Sequence, residues 1–321
     1  MTRHVTWDKG VSLVGHDLWL DPLVGRSIAF ISHAHTDHAR RHQVAVLTAE
    51  TLALVRANHR PKEARVVAYG DRLAFGEASL TLLPAGHMLG SAQLLFEHDG
   101  ARLLYTGDIK LRLGKSRETP VPRAEVLVIE STYGRPHFLF PDPDAALEEL
   151  ALLCRRSLDG GVVPVLLAHA LGKTQELMLA LKPYGFSFAL EPRCMPHARA
   201  YAQAGVEMPD FVELDPETEC ARVVIAPPTG KVLIRRLRRY RTILVSGWAQ
   251  DREFSRLFGA DLALPLSDHC DFDELVRVVE RSGADQVYTV HGFSQDLARH
   301  LRKRGVRASA LSATEQLAFA I

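Results

Sequence analysis

The stretch Ile28-Ala-Phe-Ile-Ser32-His33-Ala-His35-Thr-Asp37-His38 decides the fold. Its first half is a short apolar run of the kind that forms a buried strand. Its second half sets three histidines and an aspartate within six residues, directly after that strand. Neutral imidazoles and carboxylates are ligands suited to zinc and related divalent ions. On a loop leaving a strand, the alternate side chains of His33 and His35 can converge on one ion. Asp37 and His38 then point toward a second position.

Two later features supply what a dinuclear site needs. His87, in Ala85-Gly-His-Met-Leu-Gly90, follows another apolar segment and sits between glycines that let the backbone turn tightly. Asp108, in Tyr105-Thr-Gly-Asp108, follows a third, and its two oxygens could bridge two metals. Alone, His87 reads as well as a satisfied core histidine, and Asp108 as a helix cap. Beside the first cluster the ligand reading prevails.

The rest of the chain supports two kinds of architecture. Asp17–Leu20, Ile28–Ser32, Ala64–Tyr69, Ser79–Pro84, Gln93–Glu97, Arg102–Tyr105 and Val126–Ile129 read as short strands bounded by Gly, Asp and Pro, with one helix over Ala49–His59. Pro136–Pro143 holds three prolines in eight residues and reads as a linker. Beyond it, helices (Ala145–Ser157, Thr174–Leu181, Pro196–Ala204) alternate with strands (Val162–Leu167, Val223–Ala226, Thr242–Ser246), which predicts a parallel sheet and a second domain. Asp271–Arg281, Gln286–Val290 and Gln295–Arg304 close the chain as helix, strand and helix.

Composition sets bounds. At 321 residues, 47% hydrophobic and 24% charged, the chain has the make-up of one large or two ordinary globular domains, which excludes wholesale disorder and fibrous repeats. Lys plus Arg (39) nearly cancels Asp plus Glu (38), so a generally basic nucleic-acid coat is excluded but a local basic surface is not. The four cysteines lie far apart with no CxxC pair, which argues against a disulfide scaffold or thiolate zinc site and for a reducing cytoplasm. The N-terminal MTRHVTWDKG lacks a signal peptide's apolar stretch, and Val162–Ala168 is too short to cross a bilayer. The expectation is a cytoplasmic protein without a membrane.

His33-x-His35-x-Asp37-His38, followed by His87 and Asp108, resembles the metallo-β-lactamase superfamily, with Asp21 similar to its first motif, an aspartate that orients the ligand loop. In the second half, Ile129-Glu130-Ser-Thr-Tyr-Gly134, Ala168-His-Ala-Leu-Gly172-Lys173-Thr-Gln-Glu-Leu177, Ser267-Asp-His269 and Val290-His291-Gly292 are similar, in the same order, to the β-CASP nucleases. His-Ala-His-Thr-Asp-His-Ala-Arg40 and Leu266-Ser-Asp-His-Cys-Asp-Phe272 are most similar to bacterial DNA ligase-associated exonucleases. The resemblance implies an α/β (α+β) fold: a metallo-β-lactamase αββα sandwich over 1–136 and 266–321, with a compact β-CASP α/β domain inserted at 137–265.

It also implies roles. His33, His35 and His87 would hold one divalent ion and Asp37, His38 and His291 another, with Asp108 shared and zinc or manganese as the metal. Glu130 and His269 match the motifs that assist proton transfer, and with Asp37 form the expected catalytic set. Two metals about 3.5–4 Å apart can activate a hydroxide for in-line attack on phosphorus. The products would carry 5′-phosphate and 3′-hydroxyl ends. The expected activity is a DNA exonuclease in repair, functionally linked to a DNA ligase and a helicase. Histidine at position 291 is the pattern of RNA-directed relatives, so an RNA-processing nuclease is the alternative. A small-molecule metallohydrolase has no use for Glu130 and Ser267-x-His269, and a non-enzymatic scaffold would lack ligands that this chain retains.

Substrate contacts are read from charge. Leu171-Gly172-Lys173-Thr174 opens a helix whose free N–H groups, with Lys173, could hold a phosphate, and Ser267 stands beside the His269 motif. Lys231–Arg241, which includes Arg235 and Arg236, packs six cations into eleven residues with no acid, and reads as either a track for a nucleic-acid backbone or a solvated face. Arg299–Arg307 reads as a solvated helix, and Trp248 as a core residue or a base-stacking platform.

Overall fold

A computed structural model of the chain describes residues 4–112, 118–217 and 221–311. The described residues form two compact units, one within residues 4–139 and 269–311, the other within residues 140–268.

The first unit is built on two sheets. One has six strands in the order Val5–Trp7, Val11–Leu13, Trp19–Leu20, Ile28–Phe30, Val44–Leu47, Glu63–Val66, and the last three pairings are parallel. The other has seven, in the order Ala308–Ala310, Gln286–Val290, Val126–Glu130, Ala101–Tyr105, Ala92–His98, Ala78–Pro84, Arg72–Phe75, parallel over the first four and antiparallel thereafter. Leu20, Phe30 and Val46 of the first sheet pack with Leu80, Leu94 and Val128 of the second in one core. Leu127, Ile129 and Val287, on the second sheet's opposite face, pack under helices Phe272–Ser282 and Ser294–Lys303 with Leu275 and Leu297. Burial on both faces is why Val126–Ile129 is apolar throughout instead of alternating. Helix Phe272–Ser282 begins at a capping box between Asp271 and Glu274 and ends at Gly283 in the left-handed conformation.

The second unit is a six-stranded sheet, Phe211–Glu213, Phe188–Leu190, Val223–Ala226, Val163–Leu167, Tyr240–Val245, Leu262–Leu264, in which every pairing is parallel. Helices Pro143–Asp159, Lys173–Leu181 and Met195–Gln203 bury Leu150, Leu177 and Ala198 against one face, and Leu237 and Ile234 lie against the other.

The boundary between the two units falls inside Pro136–Pro143, at Leu139/Phe140, and the segment is partly ordered: Phe138 is buried, stacks on Phe293 at 5.6 Å and accepts the Phe272 N–H at its carbonyl, while Pro143 already opens a helix capped by Asp142. The helix at Ala49 stops at Leu54, where Val55 turns extended, and Ala57–His59 is a separate 3-10 turn. Strands Val5–Trp7 and Val11–Leu13, too short for a periodic signal, form the edge of the first sheet. Cys154, Cys194 and Cys270 are free and buried, and Cys220 lies outside the described residues. Among the described residues, no helix is long and apolar enough to cross a membrane.

Candidate metal centre and active site

In the first unit the candidate residues collect at the carboxyl ends of strands, where α/β sheets place their sites. Asp21 follows Trp19–Leu20, His33 follows Ile28–Phe30, His87 follows Ala78–Pro84, Asp108 follows Ala101–Tyr105, and His291 follows Gln286–Val290; Glu130 is the last residue of its strand. The turn before Asp108 depends on glycine. Gly107 has φ +54°, and a Cβ there would stand 2.6 Å from the Ser32 Cβ.

Asp21 anchors the histidine loop from below. It is buried with φ +43°, and its carboxylate accepts the Ser32 N–H (2.7 Å), the Ser32 hydroxyl (2.5 Å), the Tyr105 hydroxyl (2.8 Å) and His38 Nδ1–H (2.8 Å). Asp21 and His33 share Ser32, whose Oγ lies 2.9 Å from His33 Nδ1. These contacts fix the rings so that His33 and His38 turn their Nε2 atoms outward. Asp21 thereby orients the loop through four hydrogen bonds, and one of its oxygens also lies within 4.8 Å of donor atoms of His33 and His38.

His33 Nε2, His35 Nδ1 and His87 Nε2 then face one another, at 3.0 Å between the first two and 3.2 Å between the last two. Asp108 Oδ2 closes the set at 3.5 Å from His33 and 3.9 Å from His87. All four donor atoms lie within 4.8 Å of one another. A tetrahedral ion with nitrogens at about 2.0–2.1 Å separates its donors by about 3.3 Å, which these distances bracket. The electrostatics agree. Burial and repulsion from His38, His35 and His87 hold His33 well below the usual imidazole range, so it presents a neutral lone pair. The donor set fits a divalent cation.

The second candidate set adjoins it. His38 Nε2 lies 3.4 Å from Asp108 Oδ2 and 3.9 Å from Asp37 Oδ2, and the His38 and His291 rings are 4.9 Å apart between centroids. Burial opposes charge on His38, but Asp108, Asp37 and Asp21 outweigh it and push its pKa up to about 10. His291 moves the other way, to about 4, through burial and repulsion from His38. Asp37, despite burial, is held below the carboxylate range by His38 and His35, while burial raises Asp108 to about 7. Three carboxylates, Asp108, Asp37 and Asp21, thus surround His38.

Glu130 and His269 form a third element. His269 Nδ1 lies 3.0 and 3.1 Å from the two Glu130 oxygens, and Glu130 also accepts the Ile109 N–H at 2.7 Å. Burial opposes ionisation of Glu130, but His269 and these hydrogen bonds draw its pKa down to about 2. The His269 ring stands 4.5 Å from that of His87, so the pair borders the ligand set.

The substrate-contact candidates lie in the second unit. Lys173 is buried and donates to Glu176 at 2.9 Å, and the Gly172 N–H at the head of its helix is taken by Gln175. Ser267 and Lys173 follow the carboxyl ends of their strands, whereas Arg235 and Arg236 sit at the amino end of Tyr240–Val245. Arg236 is paired with Glu217, and Arg235, Arg238, Arg239 and Arg241 are exposed. Trp248 stacks on Phe254 at 4.7 Å. In the C-terminal basic stretch, Arg299 pairs with Asp296 and Arg304 with Glu280.

No family model matches the chain. Individual proteins do. It is 38% identical over 327 residues to a protein of Opitutus terrae named "Probable DNA ligase", an alignment that takes in 100% of this chain and 32% of the relative. Against "Probable RNase MJ4" of Methanocaldococcus jannaschii it is 30% identical over 206 residues, 51% of this chain and 48% of the relative. With "5' exonuclease Apollo" of Gallus gallus the identity is 28% over 272 residues, 80% of this chain and 56% of the relative. These relatives are β-CASP nucleases of the metallo-β-lactamase superfamily, and the chain is similar to them. Its two-sheet sandwich with an inserted α/β unit is the β-CASP architecture. The chain spans less than two thirds of the length of each of these relatives.

Three residues that support the site do not stand out in the sequence. Ser32 and Tyr105 complete the hydrogen bonds of Asp21, and Ser131 donates to the backbone around His291. Ser32 adjoins a motif and was open to inspection. Tyr105 and Ser131 carry no signal, because their partners lie 84 and 160 residues away.

Proposed function

We propose that the protein is a metal-dependent nuclease that hydrolyses phosphodiester bonds, and that its substrate is DNA cut from an end during repair. The observation that carries this reading is the closed donor set of His33, His35, His87 and Asp108 with the Glu130–His269 pair at its border. The naming of relatives as nucleases supports it. On this reading residues 1–136 and 266–321 are the metallo-β-lactamase domain and 137–265 the β-CASP insert.

His33, His35 and His87 would hold one ion, Asp37, His38 and His291 a second, and Asp108 both. Zinc or manganese bound there supplies positive charge for a phosphate and lowers the pKa of a coordinated water. The chain's own residues do the rest. Asp21 holds the histidine loop. Glu130, kept ionised, takes the Nδ1 side of His269 and favours an imidazolium whose Nε2–H is available to the leaving 3′-oxygen. Lys173, Ser267, Arg235 and Arg236 are the proposed phosphate contacts. Similarity to a third of a protein named as a DNA ligase supports a functional link to ligation, with a helicase as the further expected neighbour. The absence of a membrane-crossing helix among the described residues is compatible with a cytoplasmic setting.

The test is digestion of end-labelled single- and double-stranded DNA and matched RNA with zinc or manganese added. DNA is expected to be degraded faster, from an end, leaving 5′-phosphate and 3′-hydroxyl products. Faster RNA turnover would replace this substrate with the second reading, an RNA-processing nuclease, which histidine at position 291 and the similarity to a protein named as an RNase favour.

A further inference from the structure

Glu130 and Ser131 are consecutive, and each grips a different returning histidine. Glu130 takes the side chain of His269, while Ser131 takes the backbone of His291. Strand Gln286–Val290 runs directly into His291, and helix Ser294–Lys303 begins three residues later, so the chain must reverse within a short turn. It does so with two successive left-handed residues, His291 at φ +59° and Gly292 at φ +44°. Glycine takes this conformation freely; a histidine seldom does unless its surroundings impose it.

The surroundings are Ser131. Its hydroxyl, fully buried, lies 2.8 Å from the Val290 carbonyl oxygen and 2.7 Å from that of His291, one proton shared between two acceptors. Its own carbonyl accepts the Phe293 N–H at 2.7 Å, so a single residue bonds the turn at three points. The fit leaves no slack: a Cβ at Gly292 would stand 2.4 Å from the Ser131 carbonyl oxygen. We infer that Ser131 is a positioning residue whose hydroxyl holds His291 in its left-handed conformation, with the imidazole against His38. Without that hydroxyl, two buried carbonyls each lose a donor and the turn relaxes toward an ordinary backbone conformation. The inference rests on the reading of His291 as a ligand of the second ion.

The experiment is a zinc titration of purified Ser131→Ala, His291→Ala and the double variant against a chromophoric chelator, with thermal melting of the metal-free forms alongside. Ser131→Ala is expected to keep one tight site and to weaken the other by about 10–100-fold, the effect typical of residues that orient ligands. His291→Ala is expected to lose the same site, and the double variant to be no worse than His291→Ala alone. Ser131→Thr, which retains the hydroxyl, should restore binding. Native affinity at both sites in Ser131→Ala, with one site lost in His291→Ala, overturns the role of Ser131 and leaves the ligand assignment standing. Two native sites in His291→Ala overturn the assignment itself. Should Ser131→Ala not fold, Ser131→Cys, of similar volume but a weak donor, carries the same test with the same outcomes.

Discussion

Replacing Glu130 by Gln removes one charge from a buried pair and little else. Glu130 is 1% exposed and His269 Nδ1 lies 3.0 Å from its oxygen, so water screens the pair poorly. At an effective dielectric near 20, charges about 4 Å apart attract by about 4 kcal/mol. If that attraction sustains the protonated imidazole that donates to the leaving oxygen, its loss slows turnover by up to about a thousandfold. The expected result for Glu130→Gln is a fall in kcat of about 10²–10³ on DNA with KM little changed, within the range of general-acid catalysis. His269→Ala should fall at least as far while keeping its metal, and the double variant no further, since both changes disable one device. The assay that isolates this role uses a phosphodiester with an activated aryl leaving group, whose departure needs no proton. On that substrate both variants should approach the native rate. An equal loss on DNA and on the activated ester would refute the proton-donor assignment, and an unchanged rate on DNA in His269→Ala would remove the residue from the mechanism.

Other outcomes follow from single contacts. Tyr105→Phe deletes one of four donors to the Asp21 carboxylate and should destabilise the first unit by about 1.5–3 kcal/mol, read by urea denaturation. Gly107→Ala drives a Cβ against Ser32 and displaces Asp108, so metal content and activity should fall together, measured by elemental analysis and nuclease assay on one preparation. Chelation should lower the melting temperature, and added zinc should restore it, because the ligand cluster is ordered only in the folded chain. Reversing Arg235 and Arg236 to Glu should weaken DNA binding and flatten its salt dependence, by about 0.7–0.9 per contact in a plot of log K against log salt.

What was legible depended on how local the chemistry is. His33 to His38 is one loop, so its metal chemistry shows in six consecutive letters, and the strand before it shows in its apolar run. The alternation of helix and strand after Pro143 gave the parallel second sheet, since each crossover carries its own periodicity. The edge strands Val5–Trp7 and Val11–Leu13 did not show, because three residues hold too little pattern and pairing, not propensity, makes them strands. Phe138 was lost among prolines whose composition suggested a linker, although its ring is anchored in the first unit by Phe293. The hydroxyls of Tyr105 and Ser131 were silent for another reason: they act on groups far away in sequence, which only the folded chain brings near. At Leu171–Thr174 the sequence shows a helix start with a cation, but not that Lys173 pairs with Glu176 and that the Gly172 N–H is taken by Gln175, each within the next turn.

The central claim is that this site works through bound divalent ions. Stepwise zinc or manganese loading of chelated protein, with metal content and phosphodiesterase rate measured on the same samples, tests it most directly. No hydrolysis is expected in the stripped protein, and the rate should rise to its plateau as two ions bind per chain. A full rate in verified metal-free protein, or a protein that takes up no metal yet remains folded, would contradict it.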